Sequence, residues 1–213
     1  MAGIFVVLIF LSGLIYGKHL GLEMKSPYYR TFIGLPLQVP ASFLESRDKL
    51  MDMLREERIS WTNPEKYHVT LRFLGDTEPS DIERIGNALK EGIGIPRQMQ
   101  LATTGLDSFG PRKRPRVIWA GFEEIDFFER LKLDVDRSLD LCGIPFDQQV
   151  FRAHLTLGRI RSLSNLERYY RSIEEMKIRF IGSVLFDRLV FFRSILGPRG
   201  PEYHVLREIL FSS

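Results

Sequence analysis

Apolar and polar residues alternate along this chain with two different periods, and the switches between them mark its elements. Residues 28–35 are rich in aromatic and branched side chains and predict a strand. Over 40–58, Phe43, Leu44, Leu50, Met53 and Leu54 recur at helical spacing with charges on the other face, which predicts an amphipathic helix. A second strand is predicted over 68–74. Ser80-Asp81-Ile82-Glu83 is a capping-box sequence and predicts a helix to about residue 91, followed by an extended stretch over 98–104. The order then repeats. Residues 116–122 predict a strand, 123–141 an amphipathic helix and 154–160 another strand. Ser164-Asn165-Leu166-Glu167 is a second capping-box sequence, opening a helix to about residue 176. Extended segments over 177–185, 187–194 and 202–211 complete the pattern.

The repeat has a consequence for architecture. HVTLRFLG at His68 and HLTLGRIR at His154 lie 86 residues apart, each after a strand and before a helix. That predicts a duplicated unit and two lobes related by an approximate twofold, with the duplicated strands face to face at the centre. Neither motif contains a Gly-rich phosphate loop, which excludes a Rossmann or P-loop reading.

The first 17 residues carry no charge, and 4–16 are almost continuously apolar. The run is short of the roughly 20 residues a spanning helix needs and lacks the basic residues that open a signal peptide. Three readings stay open: a weak signal or anchor, a short membrane-associated helix, or an extension upstream of the true start. Met24, followed by Lys25, stands just before the first convincing strand. We read 1–24 as an appended apolar extension and 25–213 as the working domain of two pseudo-symmetric lobes. A start at Met24 implies a cytoplasmic protein; a retained extension implies membrane association or export.

Composition adds little to this picture. The 213 residues suffice for a sizeable core, and 44% hydrophobic with 27% charged residues is ordinary for a globular protein. A net charge of +3 permits an anionic ligand without demanding one. Cys142 is the single cysteine, which excludes an internal disulfide and a cysteine-based zinc site. Its CGIPFD setting predicts a helix end or turn.

Candidate chemistry resides in the two repeated strands. Side chains alternate along a strand, so His68 and Thr70 share one face and Val69 and Leu71 the other; His154 and Thr156 repeat this against Leu155 and Leu157. Opposed across a cleft, these faces present two imidazoles and two hydroxyls. Hydrolysis of a cyclic phosphodiester needs a base for water and an acid for the departing sugar oxygen, and histidine serves either role near neutrality. Threonine hydroxyls and a nearby arginine, Arg159 being the obvious one, can hold the non-bridging oxygens. A lone strand histidine is more often structural, and a strand threonine is usually there for its β-propensity. Two copies in the same context point to function instead. Neither strand offers the carboxylates or third ligand of a metal site.

The paired motifs resemble those of the 2H phosphoesterase superfamily, in its RNA 2′,3′-cyclic phosphodiesterase branch (the LigT/ThpR-like group, formerly 2′–5′ RNA ligase). The resemblance runs from about Tyr28 to the C-terminus and includes FIGLPL, Trp61, SFGPRKRPRVIWAG and GPEYHVL. It implies an α+β, bilobal fold of duplicated strand–helix–strand units, with antiparallel sheets around a central cleft. It also implies opening of the cyclic phosphate to a 2′-phosphomonoester with water, without metal or other cofactor. His68 and His154 match the catalytic pair, Thr70 and Thr156 the phosphate-contacting hydroxyls, and Arg159 the arginine that follows the second motif. The motifs do not fix which histidine is acid and which base. Implied partners are RNA ends or small 2′,3′-cyclic nucleotides, with the chain a monomer. A different phosphodiester substrate, 2′–5′ ligation, and a non-catalytic RNA-end binding module are the competing readings.

Other residues stay open. Arg112, Lys113, Arg114 and Arg116 form a basic cluster that either attracts RNA phosphates at the cleft rim or decorates a solvated loop. Phe109 either stacks a terminal base or pins that loop. Phe191, Phe192, Trp61 and Trp119 read as packing residues, His204 as structural or exposed, and His19 as irrelevant to the chemistry.

Overall fold

The computed structural model describes residues 28–177, 179, 182–198 and 200–213. The expected extension over 1–24, His19 within it, and the choice between Met1 and Met24 lie outside the described residues. From the first strand the order is β1 (Tyr29–Pro36), α1 (Ala41–Met53), β2 (Arg58–Trp61), β3 (His68–Thr77), α2 (Asp81–Gly92), β4 (Met99–Phe109) and β5 (Val117–Phe122). Then follow α3 (Ile125–Leu141), β6 (Leu155–Ser162), α4 (Leu166–Lys177), β7 (Ser183–Phe186), β8 (Arg188–Gly197) and β9 (Gly200–Leu210). This is the α+β alternation that the hydrophobic periods predict. The first helix ends earlier than its apolar spacing suggested, because the chain turns at Leu54 and Glu57 and enters the short strand β2.

The named strands pair antiparallel throughout, in the order β7-β4-β5-β6-β3-β1-β8-β9, with β2 against β6 off this path. Around the junction of β3 and β6 the order reads alike in both directions: β3, β1, β8 one way and β6, β5, β4 the other. The repeated units are therefore not the two halves of the sheet. The first contributes β1 and β3 to one half while β4, after its second helix, crosses to the other; the second contributes β5, β6 and β7 to its own half while β8, the strand after β7, crosses back. The central strands and the β4–β7 pair join into one continuous antiparallel order.

Along the strands, alternate residues serve two faces. Ile33 and Leu35 of β1, Val69 and Leu71 of β3, and Leu155 and Leu157 of β6 join residues of all four helices in the main core. Burying each such side chain contributes about 1.5–3 kcal/mol. Phe32, Val190 and Phe192 form a separate small cluster with Tyr203 on the opposite face.

Two buried polar devices tie distant segments to the centre. Behind β3, Arg72 reaches Asp147 (3.2 Å) and Asp136 (3.7 Å) and donates to the carbonyl oxygen of Pro145 (2.8 Å), while Lys132 pairs with Asp136. This set anchors the loop that leads into His154. Glu57, ahead of β2, accepts from the backbone amides of Ser164 (2.5 Å) and Asn165 (3.3 Å), the Ser164 hydroxyl (3.0 Å) and Arg168 (2.8 Å). Ser164 is thereby drawn away from a capping role, and Asn165 caps α4 by accepting from the Arg168 amide (2.8 Å). The first expected capping box is also not formed, since Ser80 has helical backbone angles and makes no side-chain cap bond.

Candidate active site

The two His-x-Thr segments meet at one point of the sheet. β3 and β6 pair antiparallel through a single pair, Val69 opposite Leu155. Continuing that register by one residue on each side sets His68 across from Thr156 and Thr70 across from His154. All four alternate away from Val69 and Leu155, which are fully buried, and so share the opposite face. The histidines are diagonal neighbours, a placement of roughly 7–8 Å in regular antiparallel pairing. Beyond this seam the strands part: β2 pairs with β6 through Trp61 and Gly158, and the Thr62 amide donates to the Leu157 carbonyl at 2.8 Å.

Arg159 reaches this face by an irregularity. Counting by twos from Thr156 would turn it toward the core. Opposite β5, however, the register passes from Trp119↔Thr156 to Ile118↔Gly158, so Leu157 is an extra residue. Ile160 is consequently buried, and Arg159 is exposed on the side of Thr156. β3 has the same bulge: Gly34 pairs with Thr70 and Ile33 with Arg72, leaving Leu71 as the extra residue. There Arg72 turns inward to its carboxylates, and Phe73 stands at the position equivalent to Arg159, half exposed under Arg30 (4.9 Å).

Each imidazole is oriented in the same way. Nδ1 of His68 donates to the Lys66 carbonyl oxygen (2.8 Å), and Nδ1 of His154 donates to that of Arg152 (2.7 Å), the residue two earlier in both cases. The proton on Nδ1 leaves Nε2 as the free nitrogen of each neutral ring. Phe32 (5.0 Å) and Tyr203 (5.2 Å, edge-on) pack on His68. Phe109 (4.8 Å) and Trp119 (6.2 Å) do so on His154, both edge-on. Among the described residues, neither the Thr70 nor the Thr156 hydroxyl is engaged by another protein group, so both are available to a ligand.

The chain resembles known proteins over this whole arrangement. Residues 33–119 match the family described as LigT like Phosphoesterase. An RNA 2′,3′-cyclic phosphodiesterase of Thermotoga maritima is 31% identical over 185 residues, covering 85% of this chain and 95% of that one. This chain belongs to the LigT-like phosphoesterase family. A second protein of that name, from Archaeoglobus fulgidus, is 32% identical over 171 residues, 76% of this chain and 91% of its own. Two solved structures share the fold of the phosphoesterase. One is a protein of Thermus thermophilus (TM-score 0.65, 22% identity, 85% of this chain and 97% of that one). The other is Escherichia coli LigT complexed with 3′-AMP (TM-score 0.62, 14% identity, 87% and 99%).

The electrostatics of the phosphoesterase site follow from its burial. Desolvation lowers the pKa of His68, against the pull of the Lys66 carbonyl, and the charges of His154 and Arg159 lower it further. His154 is lowered for the same reasons, with the Arg152 carbonyl opposing and Arg159 and Arg152 adding to the effect. Burial pushes the Tyr203 phenol up, against the guanidiniums of Arg159 and Arg30. Arg159 thus acts on His68, His154 and Tyr203 at once, which locates it among them.

The five residues singled out from sequence, His68, Thr70, His154, Thr156 and Arg159, therefore share one face of the phosphoesterase. Phe109 touches His154, and Trp119 is packed beneath Phe109 (4.8 Å, stacked) with Arg152 over it (5.4 Å). Phe191 is core, whereas Phe192 belongs to the cluster beside His68. His204 is exposed, and Cys142 closes α3 with its thiol donating to the Leu139 carbonyl. Arg30, Phe32 and Tyr203 were not legible as site residues. Arg30 and Phe32 lie at alternate positions of β1 with Gly34, and that spacing was the available signal. Among the described residues, no group of three or more His, Cys, Asp or Glu could hold a metal ion, and no helix is long and apolar enough to cross a membrane.

Proposed function

We propose that this phosphoesterase hydrolyses 2′,3′-cyclic phosphate ends of RNA to 2′-phosphomonoesters by metal-independent acid–base catalysis between His68 and His154. The observation that carries the reading is the Val69↔Leu155 register, which sets two imidazoles and two unengaged hydroxyls around one small volume. The names of the Thermotoga and Archaeoglobus relatives supply the substrate class. In the proposed step, Nε2 of His154 takes a proton from water as its oxygen bonds to phosphorus. The bond from phosphorus to O3′ breaks, and O3′ takes the proton from Nε2 of His68. One P–O bond forms and one breaks, the protein's net protonation is unchanged, and the 2′-phosphate remains.

His154 takes the part of base and His68 that of acid in this proposal; burial and Arg159 lower both rings, so the assignment rests on the sulfur-bridged substrate described below. Thr70, Thr156 and Arg159 are assigned to the non-bridging oxygens, where hydrogen bonds to developing charge lower the barrier. The five-residue site, the domain over 25–213 and a monomeric, cytoplasmic enzyme belong to the same proposal.

The test is a short RNA ending in a 2′,3′-cyclic phosphate, incubated with the protein in EDTA. A 2′-phosphate product, lost in His68→Ala and in His154→Ala, is the expected result. A substrate with sulfur at the 3′ bridging position separates the roles, because a thiolate leaves without a proton. It should restore turnover to His68→Ala and not to His154→Ala; the reverse pattern would exchange the assignments. Turnover that stops in EDTA would sink the metal-independent mechanism.

A further inference from the structure

Residues 142–154, which lead from α3 to His154, belong to no helix or strand. Their position therefore depends on partners elsewhere in the chain. Gln148, Gln149, Val150 and Arg152 are exposed, and between them only Phe151 packs on the main core. Yet the Arg152 carbonyl has to stand where Nδ1 of His154 donates to it (2.7 Å). The segment is fastened just before. Nη2 of Arg72 donates to the Pro145 carbonyl (2.8 Å), and Nη1 stands 3.2 Å from Oδ2 of Asp147. Oδ1 of Asp147 accepts from the Gln149 amide (3.1 Å), a turn that aims the chain toward Arg152. One planar fork thus grips a carbonyl and a carboxylate two residues apart.

Arg72 belongs to the strand of His68, four residues beyond it, and faces inward because of the bulge at Leu71. The equivalent residue past the bulge of β6 is Gly158. A Cβ there would stand 3.0 Å from Ile59 and 3.1 Å from Trp61, so no side chain fits and β2 lies in its place. Trp61 pairs with Gly158, and the chain then runs from Thr62, whose amide is on the Leu157 carbonyl, to His68. The entry to His68 is thereby held by the strand of His154. The entry to His154 is held by the strand of His68, through Arg72.

We infer that Arg72 is a positioning residue for His154. Through Pro145 and Asp147 it sets the Arg152 carbonyl, and that carbonyl decides which nitrogen of the imidazole carries the proton. Lysine is no substitute, because an ammonium keeps the charge but loses the fork that spans both groups. The guanidinium is held in turn by burial and balanced charge, with Lys132 and Asp136 completing a set of two cations and two carboxylates. The effect on turnover rests on the proposed reaction; the effect on the ring does not. It is the same whichever histidine is the base.

The experiment records long-range proton–nitrogen spectra of the full chain with labelled histidine at about pH 8, where both rings are neutral. Wild type, Arg72→Lys and Arg72→Met are compared, with the resonances assigned through His68→Gln and His154→Gln. We expect both wild-type rings to carry the proton on Nδ1. In the two Arg72 variants His154 should become a mixture of tautomers while His68 keeps its own, which also certifies the fold. On a short RNA ending in a 2′,3′-cyclic phosphate, kcat should fall on the order of 10²-fold in Arg72→Met, with KM within about threefold. Arg72→Lys should recover about tenfold of that loss. An unchanged His154 tautomer in Arg72→Met would overturn the inference, and so would an equal change at both rings, the mark of a general loosening. Should Arg72→Met not fold, Asp147→Asn removes the charge and keeps the turn-forming oxygen, and its His154 spectrum decides in the same way. If wild type does not turn over the RNA, the proposed reaction falls and the spectra still judge the positioning.

Discussion

Gly34 of β1 lies directly opposite Thr70 of β3, and a Cβ at Gly34 would stand 2.8 Å from the Val69 carbonyl oxygen and 3.5 Å from Cδ2 of His68. The missing side chain is what lets β1 approach the seam while the imidazole beside it keeps its place. The backbone oxygen cannot yield as the end of a flexible side chain would. Gly34→Ala should therefore shift β3 and its histidine, lowering kcat/KM on the order of 10²-fold, the cost of displacing reacting groups by about 1 Å. Steady-state kinetics alongside a thermal melt would check it. Full activity would mean that β1 does not set the position of His68.

The pH profile follows from the two lowered imidazoles. Burial is the chief cause for both, so each titrates below its ordinary value of about 6.5. The proposed chemistry needs one proton shared between the pair. In the free enzyme that form gains population as pH falls toward and below 6.5, and is lost again when the second ring protonates. Accordingly, kcat/KM should peak on the acid side of about 6.5 and decline toward tenfold per pH unit on the alkaline side. Measured kcat/KM that is level from pH 6 to 8 would contradict this account.

Arg159 supplies a sharper test of the bulge at Leu157. Its guanidinium faces the seam only because the register slips by one residue. Arg159→Ala should cost on the order of 10²-fold in kcat, as removal of one preorganised donor does. Arg159→Lys should recover part of this, since an ammonium keeps the charge and loses the planar fork. Equal activity of the alanine and lysine variants would show that charge at this position is not used.

Glu57 predicts a change in stability rather than in chemistry. Burial pushes its carboxyl up, but hydrogen bonds from Arg168, Ser164 and Asn165 outweigh burial and hold it below the ordinary carboxylate range. A lowered acid contributes stability that is full above the unfolded value of about 4.3 and is lost as pH falls through the folded one. Glu57→Ala should lower Tm by about 5 °C or more at pH 7, with the gap from wild type narrowing toward pH 3. A constant gap across that range would sink the assignment.

The elements themselves were legible because periods of two and 3.6 are local properties of a sequence. The paired histidines and threonines were legible for the same reason. What the periods could not carry is anything that depends on a partner strand. Alternation alone points Arg159 into the core, and the bulge that reverses it is visible only against β5. Ser164 has the right spacing to cap α4, yet Glu57, more than a hundred residues earlier, claims it. Tyr203 meets His68 because β8 returns beside β1, a pairing no local window contains.

That return of β8, matched by the passage of β4 to the other side, makes the molecule a clasp. A cut between β4 and β5 would strand β4 without β5 and leave β1 without β8, so neither fragment could fold as half an enzyme. The seam of one residue pair is held shut by strands that each side has lent to the other. Unfolding should accordingly be a single event in which both imidazoles lose their places together, and separately expressed halves should regain activity only when mixed.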